Sequence, residues 1–116
     1  MPVTPEQIFR ALADRTRLLS LALLRDEGSL CVCELVEALA QSQPHVSRHL
    51  AQLRELELVT DQRRGQWVHY SLNPDLPAWV QATLAAAVSA PSLARARTAA
   101  HRRLAGMASR PSLACA

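Results

Sequence analysis

Residues 42–56 read "SQPHVSRHLAQLREL". Ser42 can cap a helix through its hydroxyl, and Pro44 fits the first turn, where its missing N–H is not needed. Val46, Leu50 and Leu53 then recur at three and four, which is one inward stripe of an α-helix. Around the helix, Pro44, His45, Arg48 and Gln52 fall opposite that stripe and must face something other than the core.

Downstream the period changes. Val59 to Arg64 and Gln66 to Leu72 read as two strands around Arg64-Gly65, with Val68, Tyr70 and Leu72 alternating. Asp75 and Pro77 then start a helix lined by Val80, Leu84, Ala87 and Val88 and ending near Ala90-Pro91. Upstream, Thr4-Pro5-Glu6-Gln7 has the form of a capping box, followed by a short helix to about Ala13. Asp14 can cap a second helix, with Leu18, Leu21 and Ala22 inward, which Asp26-Glu27-Gly28 ends. In "SLCVCELVEAL" (residues 29–39), Val32, Leu35, Val36 and Leu39 form the stripe of a third, short helix that carries two thiols near its start.

The order of helix, helix, short helix, turn, helix, hairpin, helix predicts a winged helix-turn-helix, mainly α with a β-hairpin, whose residues 43–56 enter the major groove of DNA. Residues 1–90 are expected to form this domain and residues 91–116 an Arg- and Ala-rich tail, with a frayed helix over 92–106 and a loose end.

Composition agrees with a small aliphatic core. The 116 residues suit one domain, 49% are hydrophobic and only 3% are aromatic. Charge is uneven, since residues 1–75 hold eight Arg and ten acids, whereas residues 76–116 hold five Arg and no acid. Three cysteines cannot all pair, and their spacing suits neither a secreted disulfide framework nor a four-cysteine zinc ribbon, so reduced thiols in a cytoplasmic, soluble protein are expected. No stretch approaches the roughly 18 apolar residues of a membrane span, and Met1-Pro2-Val3-Thr4 opens no export signal.

Four blocks, "ALADRTRL" (11–18), "LCVCEL" (30–35), "SQPHVSRHLAQLRE" (42–55) and "RRGQWVHYSL" (63–72), occur in an order that resembles the ArsR family of metal-responsive bacterial repressors, most of all its arsenical-resistance branch. The resemblance covers roughly residues 5–80. It implies a homodimer built through the first and last helices, bound to a palindromic double-stranded operator until a thiophilic ion is captured, with no cofactor required for DNA binding. In two respects the chain departs from the pattern. Members with three local cysteines carry the third where this chain has Val36, and many members have glycine where it has Glu57.

Within that resemblance, Cys31 and Cys33 are the expected ligands of trivalent arsenic or antimony, with lead, cadmium and mercury as competitors, because soft thiolates select soft ions. Residues two apart on an ideal helix point about 200° away from one another, so joint capture is expected to distort the helix start and to compete with the operator-bound shape. Cys115 is the remaining thiol and a candidate third ligand, alongside a small cellular thiol or solvent. The His and carboxylate ligands that the zinc and nickel branch places on its last helix are absent, since residues 76–100 contain no His, Asp or Glu.

The candidate DNA contacts are Gln43, His45, Ser47, Arg48, His49 and Gln52 on the reading helix and Arg63 and Arg64 at the hairpin tip. Arg48 is the best base reader, and His49 lies closer to the inward stripe. Three other readings stay open, a repressor sensing thiol oxidation through Cys31 and Cys33, a thiol redox enzyme, and a DNA-binding or partner-binding module with no inducer. No thioredoxin-like strand-to-helix pattern surrounds the pair, and no acid, base and nucleophile set can be assembled for an enzyme.

Overall fold

The computed structural model describes residues 3–111, as helices α1 (Pro5–Leu12) and α2 (Arg15–Glu27), strand β1 (Ser29–Cys31), helices α3 (Val32–Leu39) and α4 (Gln43–Glu55), strands β2 (Val59–Arg64) and β3 (Trp67–Leu72), and helices α5 (Ala78–Val88) and α6 (Pro91–Ala105). The capping box at Thr4 is closed. Thr4 accepts from the Gln7 N–H at 3.2 Å, and Gln7 Oε1 accepts from the Thr4 N–H at 2.9 Å. Asp14 accepts from the Arg17 N–H at 3.0 Å to cap α2, and Gly28, at φ +88°, ends that helix.

Helix α2 is the hub. Leu21, Ala22, Leu23 and Leu24 are all buried, more than the one stripe read from the sequence, because the helix packs against α1, α3, α4, α5, α6, β1 and β3. Its neighbour α5 turns Val80, Leu84 and Val88 inward, each no more than 2% exposed within one chain. Helix α2 lies beneath α5, so these three residues are covered without a partner subunit. The large apolar side chains that α1 and α5 do expose are Phe9, at 61%, and Trp79, at 40%.

The sheet has the antiparallel order β1-β3-β2. Its hairpin is the expected one, with Gly65 at φ +62° in the turn. Strand β1 was not expected. Residues 29–31 pair with Ser71, Tyr70 and His69, so the third helix starts only at Val32. A three-residue strand between two helices is too short for its alternation to show, and only its pairing with β3 defines it.

The frayed helix expected over residues 92–106 is α6 (Pro91–Ala105), with Leu93, Ala100 and Leu104 buried against α3 and α2. Arg97 holds Asp26 through both carboxylate oxygens at 2.8 and 2.9 Å, and His101 Nε2 lies 2.9 Å from the same carboxylate. Partial burial opposes ionisation of Asp26, but these two partners outweigh it and hold the carboxyl below its usual range.

Glu57 follows α4 at φ +61°. The Leu58 N–H donates to Leu53 O at 3.0 Å and the Glu57 N–H to Arg54 O at 2.9 Å, a Schellman ending that glycine would adopt without strain. Replacing Glu57 by Gly removes that strain but adds freedom to the unfolded chain, and the expected net gain is about 0.5–1 kcal/mol. Chemical denaturation of the two proteins should show a higher midpoint for Glu57→Gly; an equal or lower one would contradict the strain.

Candidate thiol site and nucleic-acid interface

Cys31 is both the last residue of β1 and the N-cap of α3, with φ −72° and ψ 154°. Because it stands in extended backbone, the helical rule that separates residues two apart does not apply to it. Its Sγ lies 2.9 Å from that of Cys33. The expected distortion of the helix start is therefore unnecessary, since the strand-to-helix junction already brings both sulfurs together.

The thiols open onto a cleft of about 260 Å³ lined by Cys31, Val32, Cys33, Gln43, Gln66, Trp67 and Val68. Gln43 begins the reading helix and Gln66 and Trp67 form the wing tip, so one cavity touches both elements that would meet DNA. Cys31 also sits opposite His69 in the β1–β3 register, and both are buried. Burial disfavours the Cys33 thiolate, and the hydrogen bond and charge of Cys31 add to it, so the thiol is pushed up to about 12. Among the described residues no group of three or more His, Cys, Asp or Glu could hold a metal ion, and Cys115 lies outside them.

On α4, capped by Ser42 as expected, Gln43 and Arg48 are exposed and Ser47 is half-buried. His45, His49 and Gln52 are engaged by α2 instead. Arg17 donates to Gln52 Oε1 at 2.8 Å, to His49 Nδ1 at 3.1 Å and to the α1 carbonyls of Ala11 and Arg10 at 2.6 and 3.2 Å. A guanidinium only donates, so His49 must carry its proton on Nε2, which lies 3.9 Å from Asp14. Burial of His49 holds its pKa below the usual value, in keeping with a neutral ring. Thr16 donates to Gln41 Oε1 at 3.0 Å and lies 3.4 Å from His45 Nε2. Arg63 and Arg64 stand exposed at the wing tip.

A profile of the bacterial regulatory protein family named for arsR matches residues 14–61. The "Arsenic resistance transcriptional regulator ArsR1" of Pseudomonas putida is 53% identical over 88 residues, covering 76% of this chain and 69% of that protein.

The chain belongs to the ArsR family.

The "Arsenical resistance operon repressor" of Escherichia coli is 57% identical over 75 residues, 65% of this chain and 64% of its own. Among solved structures, HlyU from Vibrio cholerae superposes with a TM-score of 0.62 at 34% identity, covering 70% of this chain and 84% of that one. The AntR antimony-specific transcriptional repressor also gives 0.62, at 28% identity, covering 76% and 77%. These neighbours share the winged-helix architecture. The family is one of regulators, not enzymes, and no described helix is long and apolar enough to cross a membrane.

The roles of Thr16 and Arg17 escaped the sequence reading. Both lie in the "ALADRTRL" block, but nothing local to that block shows that they reach α4 and the turn before it, some 25 to 35 positions away. The geometry separates two kinds of arginine. Arg48→Ala, on the exposed face of α4, is expected to weaken binding to a specific operator and relax base preference by about 1–3 kcal/mol. Arg64→Ala should weaken specific and random duplexes alike and lower the salt slope. Competition binding over a salt series reads both, and an unchanged specificity ratio in Arg48→Ala would contradict its assignment.

Proposed function

We propose that this chain is an arsenite- and antimonite-responsive repressor that binds operator DNA as a homodimer and lets go when Cys31 and Cys33 capture the ion. The observation that carries the reading is the pair of sulfurs 2.9 Å apart in a cleft shared with Gln43 and Trp67. Relatives named for arsenic resistance support the choice of ion. Residues 1–90 read DNA and dimerise, and residues 91–116 are the tail, of which 91–111 form an arm against them. Gln43, Ser47 and Arg48 address the major groove and Arg63 and Arg64 the backbone beside it, while His45, His49 and Gln52 serve mainly to seat α4 on α2.

The switch acts by occupancy of a shared cleft. An ion drawn between the sulfurs changes the packing around Gln43 at one wall and Trp67 at the other, and β1 passes any shift of Cys31 to the wing through β3. The two shapes differ in ion affinity, and that difference sets the loss of operator affinity, with useful couplings on the order of 1–3 kcal/mol.

A trivalent centre favours three soft ligands, and Cys115 is proposed as the third. Support comes from Arg110, whose side chain reaches α3 beside Cys31; five further residues span up to about 17 Å. The dimer is proposed to use the apolar surfaces of α1 and α5, where Phe9 and Trp79 are exposed.

The deciding experiment is operator release titrated with arsenite, antimonite, cadmium, lead and zinc under a non-thiol reductant. Arsenite is expected to release the wild type, whereas Cys31→Ser and Cys33→Ser should bind operator normally and fail to let go, because repression needs helix packing and induction needs sulfur. Normal release in either variant would remove the proposed switch, and release only by oxidants would favour thiol oxidation.

Proton balance separates the ions further. A dication must expel at least the Cys33 proton into solvent, so cadmium affinity should rise at least about tenfold per pH unit between about pH 6 and 8. With arsenous acid, each As–S bond forms as an As–OH bond breaks, and the thiol proton leaves with that hydroxide as water. Its affinity should stay nearly flat over the same range in calorimetry, and equal slopes for both ions would contradict the raised thiol. Sedimentation is expected to show a dimer at micromolar protein and a monomer for Trp79→Glu; a monomeric wild type would exclude the interface.

A further inference from the structure

Beyond α6 the chain turns back onto the thiol-bearing helix. Arg110, whose side chain is 13% exposed, donates from Nε to Glu34 Oε2 at 2.8 Å and from Nη2 to Glu27 Oε1 at 3.1 Å, and Pro111 beside it is buried. Glu34 is wholly buried at the third position of α3, and its other oxygen, Oε1, accepts the Cys31 N–H at 2.8 Å. One carboxylate thus joins the C-terminal arm to the backbone of a thiol ligand. The Arg103 guanidinium, which donates to Ala38 O at 2.8 Å, seats α6 on the same helix.

We propose that Arg110 is a positioning residue of the inducer site, holding Glu34 so that Glu34 fixes Cys31 as the N-cap of α3 with its sulfur beside Cys33. This rests on the reading of Cys31 and Cys33 as the ion ligands. A carboxylate out of water is stable as an anion only when it is paired and hydrogen-bonded, and Arg110 supplies the charge that pairs it. With the arginine gone, Glu34 loses the contact that fixes its side chain, and its hold on the Cys31 N–H loosens. Cys31 then leaves the extended conformation that brings the sulfurs together, and a chelate that was preorganised must be ordered at the moment of binding. The reading helix is seated independently by Thr16 and Arg17, so operator binding without an ion stays intact.

The test compares two variants of the full chain that both lack Arg110. In Arg110→Met, the buried carboxyl of Glu34 is left without the side chain that holds it. In Glu34→Gln with Arg110→Met, the neutral carboxamide needs no pairing cation and its oxygen keeps the cap on the Cys31 N–H. Arsenite affinity, measured calorimetrically under a non-thiol reductant, is expected to fall at least tenfold in the first variant and to stay within about threefold of wild type in the second, with operator affinity unchanged in both. Hydrogen exchange adds a readout that a purely structural role would not move, since arsenite should slow exchange of residues 106–111 in the wild type through reciprocal linkage. Wild-type affinity in Arg110→Met, equal losses in both variants, operator affinity falling in parallel with arsenite affinity, or no arsenite effect on exchange would each overturn the role of Arg110. Failure of the wild type itself to bind arsenite would instead remove the reading of Cys31 and Cys33.

Discussion

The conformation of Cys31 is the constraint on which the rest depends. Were residue 31 helical, its sulfur and that of Cys33 would point to opposite sides of α3. Three contacts keep it extended: pairing of β1 with β3, the hydrogen bond from its N–H to Glu34, and the start of α3 immediately after it. The same residue therefore ends a strand of the wing sheet, caps the first helix of the DNA-reading motif and carries a thiol. It is thereby shared by the wing sheet and the helix-turn-helix.

The reading helix is held by a different set of contacts. Arg17 spans from the last carbonyls of α1 to His49 and Gln52, and Thr16 reaches Gln41 and His45 at the turn before and the first turn of α4. All of these groups but Gln52 are partly or fully shielded from water, where hydrogen bonds to a guanidinium outweigh the neutral kind. The division is useful mechanically. One side of α4 is locked to α2, its N-terminal residue forms a wall of the thiol cleft, and Arg48 remains exposed.

The arm formed by α6 and the residues after it ties these parts together from behind. Its apolar residues pack on α3 and α2, and its arginines and His101 meet the acids of those helices at Asp26, Glu27 and Glu34. The lack of acids after residue 75 thereby acquires a structural meaning, because the positive charge of the arm answers carboxylates on the body. Exposed pairs of this kind contribute little individually, whereas the pairing of buried Glu34 is costly to break.

Most of the helices were legible because their signals are local: hydroxyl and carboxylate caps at Thr4, Asp14 and Ser42, the 3.6-residue stripe of α4, and the alternation around Gly65. The outward position of Arg48 on α4 was likewise visible from helical spacing. Strand β1 was not, since three residues show no period and acquire their conformation from β3, some forty positions away. The inward turn of Val80, Leu84 and Val88 was hidden for the same reason, because a stripe shows that a face is buried but not against what. Burial of Glu34 and its pairing with Arg110 lie further still from local pattern, 76 residues apart in the chain and 2.8 Å apart in space. Local propensity and periodicity act within a few residues, so the chain alone settled which segments are helical and which chemical groups are present; the meeting of the two sulfurs, the seating of α4 and the return of the arm arise from long-range packing, in which each contact depends on all the others being formed.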